Sequence, residues 1–105
     1  MANNNPTPTN GQGKQIQIKI TDDILKGAYA NAMQVVHSTD EFIVDFMNLY
    51  PHQGVGVVTS RIIMSPGHLK RAIGALQDNL KKYEERFGEV KIADQPSGSI
   101  GFQSE

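Results

Sequence analysis

A strict alternation of apolar and polar residues runs through residues 15–20. Its apolar members are Ile16, Ile18 and Ile20. A period of two is typical of a half-buried β-strand. The aspartates that follow, Asp22 and Asp23, break the alternation, and either one can cap a short helical turn that Gly27 would end. The pattern therefore predicts a first strand and then one turn of helix.

Three further segments, residues 28–37, 41–50 and 55–64, are predicted to be strands. The second and third are rich in β-branched and aromatic residues, which favour strands. The first also contains alanines and a methionine that favour helix, and the turn cluster at 38–40 decides for strand, because two strands around a three-residue turn make a hairpin. Residues 51–54 form the next turn, so neighbouring strands are expected to pair antiparallel.

Residues 66–87 carry apolar side chains at spacings of three and four. The stripe consists of Leu69, Ala72, Ile73, Leu76, Leu80, Tyr83 and Phe87. This spacing predicts one amphipathic helix. Ser65 is the expected N-cap, Pro66 the first helical residue and Gly88 the stop. Gly74 inside the helix costs about 1 kcal/mol relative to alanine, which suggests a close backbone approach there.

Together these elements predict an α+β fold. An antiparallel sheet of about four strands is followed by one long C-terminal helix, in the order β-β-β-β-α. The 105 residues suit one domain, placed at 15–92. Residues 1–14 are polar and rich in Asn, Pro and Thr, so a disordered tail is expected there, and a flexible tail is expected at 93–105.

Composition narrows the classes of function. Ten basic residues are balanced by eleven acidic ones, so there is no broad basic surface for nucleic acid. The chain has no cysteine, which excludes disulfides and thiolate metal sites. No apolar run approaches the roughly 20 residues of a membrane span, and the N-terminus lacks the features of a signal peptide. We therefore expect a cytoplasmic protein that does not enter a membrane.

The candidate chemistry is sparse. The three histidines, His37, His52 and His68, do not have the spacings of metal-binding motifs. Thr59 and Ser60 lack a base and an orienting group, so neither is a convincing nucleophile. We expect no metal, no cofactor and no catalytic residue, and so a protein that is not an enzyme.

Two charged pairs have structural interpretations. A three-residue turn at 38–40 would place His37 opposite Glu41, where the pair would stabilise the hairpin. Asp45 and Arg61 are charges inside apolar strands, and a lone buried charge is costly, so an ion pair between them is preferred.

The strand register decides between two arrangements of the second pair. If residues 51–55 form the loop, Asp45 lies directly opposite Arg61. If the loop is one residue shorter, Arg61 faces Val44 and the two charges point to opposite faces of the sheet. The functional alternative is an anion site at Arg61.

Such an anion site would lie near Lys70 and Arg71. The structural ion pair with Asp45 is favoured over it.

Both faces of the strand at 41–50 are largely apolar. One helix can cover only one of them, and an uncovered apolar surface usually marks a binding site. We expect a homodimer or higher oligomer packed through the sheet face or the helices. The alternative is that the tails and the Ile24-Leu25 segment fold over that face. The candidate partner surface comprises Phe42, Val44, Phe46 and Met47.

Several motifs in fixed order resemble a small prokaryotic family. They are Tyr29-Ala30-Asn31, His37-Ser38-x-x-Glu41-Phe42, Asp45-Phe46, Arg61-Ile62-Ile63-Met64-Ser65-Pro66, Leu76-Gln77-x-Asn79 and Tyr83-Glu84-x-x-Phe87-Gly88. The family is known as domain-of-unknown-function family 3467. The resemblance covers about residues 15–90, and it implies the domain boundaries but no reaction. Its polar signature residues are Asn31, His37, Glu41, Asp45, Arg61 and Asn79.

The expected architecture also resembles that of the SecB export chaperone, which associates through such sheets and helices. Fold-level likeness does not assign function. We expect a non-enzymatic, homo-oligomeric, chaperone-like module that binds a protein or peptide through its apolar sheet surface or a sheet edge. The alternative is a nucleic-acid-associated regulatory protein. Its candidate contacts are Arg61, Lys70, Arg71, Lys81 and Lys82.

Overall fold

The computed structural model describes residues 15–94. Its helices are α1 (Asp22–Leu25) and α2 (Pro66–Phe87), and its strands are β1 (Ala32–His37), β2 (Phe42–Tyr50) and β3 (Val55–Met64). The strands form one antiparallel sheet in the order β1-β2-β3. The α+β class, with an antiparallel sheet followed by a C-terminal helix, is confirmed. The tail predicted at 1–14 and most of that predicted at 93–105 lie outside the described residues.

The sheet has three strands in the described chain, one fewer than the prediction of about four. Residues 15–20 have no regular secondary structure, and Ile18 is 87% exposed. Alternation indicates that a segment suits a sheet, but a strand also needs a neighbour to pair with. Within residues 15–94 no neighbour pairs with this segment. The chain instead enters α1 directly and leaves it at Gly27, whose φ of 79° only glycine adopts easily.

The β2–β3 hairpin contains both of the registers considered for it. Next to the turn, Tyr50 pairs with Val55, which is the register of the shorter loop. Farther along, Asp45 pairs with Arg61, which is the register of the longer loop. The register shifts between Phe46 and Met47, which leaves Thr59 as an extra residue on β3. This is a β-bulge.

The tight turn before β3 explains why the shorter loop forms. Residues Pro51–Gln53 make one 3-10 turn, and Gly54 follows with φ 66°. The Gly54 N–H donates to the Pro51 carbonyl at 3.1 Å. The loop therefore closes over residues 51–54, and the bulge at Thr59 restores the pairing of the two charges.

The β1–β2 turn is one residue longer than predicted, and the predicted His37–Glu41 pair is wrong. His37 lies opposite Phe42, and the two rings are 5.2 Å apart. The Ser38 N–H donates to the Glu41 carbonyl at 2.9 Å, and the Asp40 N–H donates to Ser38 Oγ at 3.2 Å. These bonds draw Glu41 into the turn, so it cannot face His37.

Helix α2 begins and ends through local hydrogen bonds. Ser65 is the N-cap, and its Oγ accepts from the His68 N–H at 3.1 Å. Pro66 follows as the first helical residue. At the other end Gly88 has φ 102°, and its N–H donates to the Glu84 carbonyl at 2.9 Å. The predicted close approach at Gly74 is wrong, because a Cβ added there would meet nothing within 4 Å.

The buried core of the described chain is small. Its apolar members are Val44, 5% exposed, and Met47, 3% exposed. The apolar stripe of α2 is exposed from Ile73 to Phe87, and Leu76 is 72% exposed. The expectation that α2 covers one sheet face with this stripe is therefore wrong for the single chain. The spacing shows which helix face favours burial, but not what buries it.

Candidate functional site

Asp45 and Arg61 form a two-pronged ion pair across β2 and β3. Arg61 Nε donates to Asp45 Oδ1 at 2.7 Å, and Nη2 donates to Oδ2 at 2.8 Å. Asp45 is 4% exposed, whereas the Arg61 side chain is about half exposed. The hydrogen bonds from Arg61 hold the pKa of Asp45 below its usual value, with the charge of Arg61 acting in the same direction and burial opposing both. The pair therefore neutralises the buried charge of Asp45 and fixes the register of β2 against β3 at this level.

A polar row crosses the sheet at this level. In register, Gln34 on β1 lies beside Asp45, which lies beside Arg61. Gln34 Oε1 is buried, and no partner for it occurs among residues 15–94. Two of the Arg61 nitrogens are already committed to Asp45, which speaks against an anion site centred on Arg61. Lys70 and Arg71 lie on α2, where Arg71 Nη2 is 3.0 Å from His68 Nδ1.

The histidines do not come together. His37 contacts Phe42 at the end of β1, His52 is exposed in the 3-10 turn and His68 lies in the first turn of α2. Within residues 15–94 no three His, Asp or Glu side chains are grouped so that they could hold a metal ion.

Two asparagines extend the sheet beyond the end of β1. The Asn31 side chain acts as a substitute peptide: its Oδ1 accepts from the Leu49 N–H at 2.8 Å, and its Nδ2 donates to the Leu49 carbonyl at 3.1 Å. Asn48 Nδ2 donates to the Tyr29 carbonyl at 2.9 Å. Together these bonds hold the segment before β1 against the end of β2. Asn31 and Tyr29 belong to the sequence motifs noted above, but the spacing gave no signal for these contacts.

An open groove lies between the segment containing α1 and one face of the sheet. Its volume is about 540 Å³. The lining is mainly small and apolar and includes Ile24, Ala28, Ala30, Phe46, Thr59 and Ser60. The α1 segment therefore lies beside the Phe46 face, as one alternative expected, but Ile24 and Leu25 stay exposed themselves and do not seal it. The extra residue Thr59 at the bulge could not be foreseen as part of this groove.

The candidate partner surface on β2 is only partly available. Val44 and Met47 are buried within the chain, so their inclusion was wrong, since both lie in the small core. Phe42 is half-buried and Phe46 is exposed. The candidate partner surface left out the larger exposed apolar surfaces. These are the α2 stripe, the exposed sheet residues Val36, Ile62 and Ile63, and the isoleucines of residues 15–20.

The chain belongs to the family described as "Protein of unknown function (DUF3467)", whose model matches residues 1–92. No curated protein and no solved structure is significantly similar to the chain. None of the helices described here is long and apolar enough to cross a membrane.

Proposed function

We propose that this member of the DUF3467 family is a non-enzymatic, homo-oligomeric module that binds a protein or peptide, in the manner of a chaperone. The observation that carries the proposal is the contrast, within residues 15–94, between an apolar core of Val44 and Met47 and an extensive exposed apolar surface. Surfaces of this kind mark interaction sites in soluble proteins.

The exposed surface is concentrated on regular elements. On the sheet, exposed apolar residues occur on both faces: Met33, Val35, Phe46 and Ile62 on one, and Val36, Val58 and Ile63 on the other. On α2 they form the single stripe described above. Ordered apolar faces of this size need a partner to remove them from water, and burial of each large side chain contributes roughly 1.5–3 kcal/mol.

The sheet also offers hydrogen bonds to a partner. Because the strand order is β1-β2-β3, both β1 and β3 are edge strands in the described chain. The outward N–H and C=O groups of an edge strand can pair with an added strand, and exposed side chains alternate along it to give selectivity. An extended apolar peptide matches both requirements.

A fourth strand is part of this proposal. Residues 15–20 carry the alternation of a strand, and their isoleucines are exposed and unpaired within residues 15–94. Added to an edge of another copy, this segment would complete a sheet of four strands. The segment is also an example of the extended apolar peptide that the sheet edge would bind.

Two measurements test the proposal. Light scattering coupled to size-exclusion chromatography at high micromolar concentration should give a multiple of the 11.5 kDa chain mass. A fluorescein-labelled peptide with the sequence of residues 14–21 should bind with rising anisotropy. A matched peptide carrying Ile16→Ser, Ile18→Ser and Ile20→Ser should not bind. A monomer that ignores both peptides would contradict the proposal.

A further inference from the structure

The exposed stripe of α2 has the spacing of a coiled-coil seam. Successive members are separated by four, three, four, three and four residues: Leu69, Ile73, Leu76, Leu80, Tyr83 and Phe87. This alternation of three and four is the heptad pattern of helices that pack along one another. Leu69 is half-buried by its own chain, whereas the other five are exposed. A helix of 22 residues therefore presents a seam whose partner is absent from the described chain.

The seam is symmetric about its midpoint, Asp78. Leu76 and Leu80 are each two residues from it, and Ile73 and Tyr83 are each five residues from it. The outer members, Leu69 and Phe87, are nine residues from it on either side. When two such helices run antiparallel about a two-fold axis, every apolar residue therefore lies level with an apolar residue of the other copy.

The flanking charges select the antiparallel arrangement. On one side of the seam the heptad places Lys70, Gln77 and Glu84 at equivalent positions, seven residues apart. In the antiparallel pair centred on Asp78, Lys70 and Glu84 of the second copy lie on the same edge of the seam, within two residues, or about 3 Å, of one another's level, which gives two attractive contacts. In a parallel pair these positions would face the other edge of the partner's seam, so Lys70 and Glu84 would not meet. The helix dipoles also favour the antiparallel pair, because the end of each helix lies beside the start of the other.

The Glu84 side chain is already held near the end of the helix. Its Oε2 accepts a hydrogen bond from the Val90 N–H at 2.9 Å, and the residue is half-buried. The Tyr83 and Phe87 rings contact one another at 4.9 Å between centroids. The C-terminal half of the seam is therefore ordered before any partner arrives, which lowers the entropic cost of association.

We propose that two copies of this chain associate through their α2 helices, packed antiparallel along the seam, with Lys70 of each copy paired with Glu84 of the other. The inference rests on the proposed homo-oligomer and names its interface. It leaves the sheet edges open for an added strand and the groove open for a peptide.

Charge insertion into the seam is the first test. Leu76→Asp and Leu80→Asp should each halve the mass measured by light scattering at a concentration where the wild type is associated. Leu76 is exposed in the single chain, so its replacement should leave circular dichroism unchanged. Ala75→Asp is the matched control, because it adds the same charge to α2 off the seam, and it should keep the wild-type mass.

Spin labels test the direction of packing. The chain has no cysteine, so Gln77→Cys and Lys70→Cys each introduce one labelling site. In the antiparallel dimer centred on Asp78 the two labels at position 77 are offset by only two residues, or about 3 Å along the helix. Those at position 70 are offset by sixteen residues, or about 24 Å along the helix at 1.5 Å per residue. Pulsed electron paramagnetic resonance should therefore report a short distance for position 77 and a much longer one for position 70.

The outcomes separate this inference from the proposed function. A wild-type oligomer whose mass is unaffected by Leu76→Asp and Leu80→Asp would place the interface elsewhere and overturn the α2 seam alone. Equally short distances at positions 77 and 70 would show parallel helices and overturn the antiparallel arrangement. A wild-type monomer at high micromolar concentration would overturn both proposals.

Discussion

Asp45 shows how a single residue sets the pairing of two strands. Its carboxylate is almost inaccessible to water and is satisfied by two nitrogens of Arg61. Displacing β3 by one residue at this level would put the two charges on opposite faces and leave Asp45 unpaired. The bulge at Thr59 is therefore the local distortion that lets a four-residue turn and this ion pair coexist in one hairpin.

Asp45→Asn should weaken the fold at neutral pH and flatten its acid response. The pKa of Asp45 is lowered by Arg61, so the pair's contribution to stability is fully present above the pKa of an unfolded aspartate, about 3.9. That contribution is lost as the pH falls through the lower folded pKa. Urea unfolding of wild type and variant should therefore converge toward acid pH.

The control for this test is Asp23→Asn. Asp23 is highly exposed and lies 4.0 Å from Lys26, a geometry worth little in water. It should follow the wild-type profile at every pH. A constant gap between Asp45→Asn and wild type down to strongly acid pH would show that the ion pair is not the source of the difference.

Asn31→Ala should destabilise the fold by about 1–2 kcal/mol, because it removes both hydrogen bonds to the Leu49 backbone, each worth roughly 0.5–1.5 kcal/mol. Asn48→Ala removes one such bond, to Tyr29, and should cost about half as much. Urea midpoints measure both. If Asn31→Ala unfolds at the wild-type midpoint, the amide does not act as a substitute peptide.

Some features at the residue scale could be predicted from the sequence and others could not. A carboxylate between Val44 and Phe46 in an apolar strand needs a partner, and in one of the two registers considered Arg61 lies directly opposite it. The position of His37 depended on the length of a turn, which Ser38 sets through bonds that composition does not reveal. The bulge at Thr59 could not be predicted from the sequence. It forms because the turn at 51–54 sets one register and the Asp45–Arg61 pair sets another, and the two registers meet only in the folded hairpin.

At the scale of elements, local rules were sufficient for α2 and insufficient for residues 15–20. The bounds of the helix follow from Ser65, Pro66 and Gly88, whose effects are confined to one turn of chain. A strand depends on a neighbour, which can be distant in sequence or belong to another molecule. The alternation at 15–20 therefore identified the right surface pattern but could not supply the pairing.

The glycines of α2 provide a matched pair of substitutions. A Cβ added at Gly74 or at Gly88 would meet nothing within 4 Å, so neither substitution creates a clash and the backbone conformation decides the effect of each. Gly74→Ala should stabilise the fold by about 1 kcal/mol, the difference in helix propensity. Gly88→Ala should destabilise it by about 1 kcal/mol or more, because φ 102° with ψ 166° is nearly restricted to glycine.

Thermal unfolding followed at 222 nm measures both changes. If Gly74→Ala were destabilising, a partner would approach the helix backbone at that position, and the seam would have to be rotated toward it.

For the whole molecule, the small core and the exposed seam have one cause: the single chain does not bury most of its apolar surface. A chain of this length buries only roughly 60–65% of its unfolded surface even when it is well packed, and here the described chain leaves the α2 stripe, both edge strands and residues 15–20 uncovered. The sequence indicated that apolar surface exceeded what one helix could cover. It could not indicate that the helix stripe itself would remain free, because periodicity defines a face without identifying what packs on it.

The stability of such a molecule should depend on its concentration. If folding is coupled to association, each tenfold rise in protein concentration stabilises the folded dimer against unfolding by about 1.4 kcal/mol, counted per mole of dimer. The urea midpoint should therefore rise with protein concentration. In Leu76→Asp the seam is disrupted, so the midpoint should be lower and independent of concentration, whereas Ala75→Asp should retain the wild-type dependence. A wild-type midpoint that does not change with concentration would mean that the small core of Val44 and Met47 suffices for folding, and that the exposed apolar surface serves other partners.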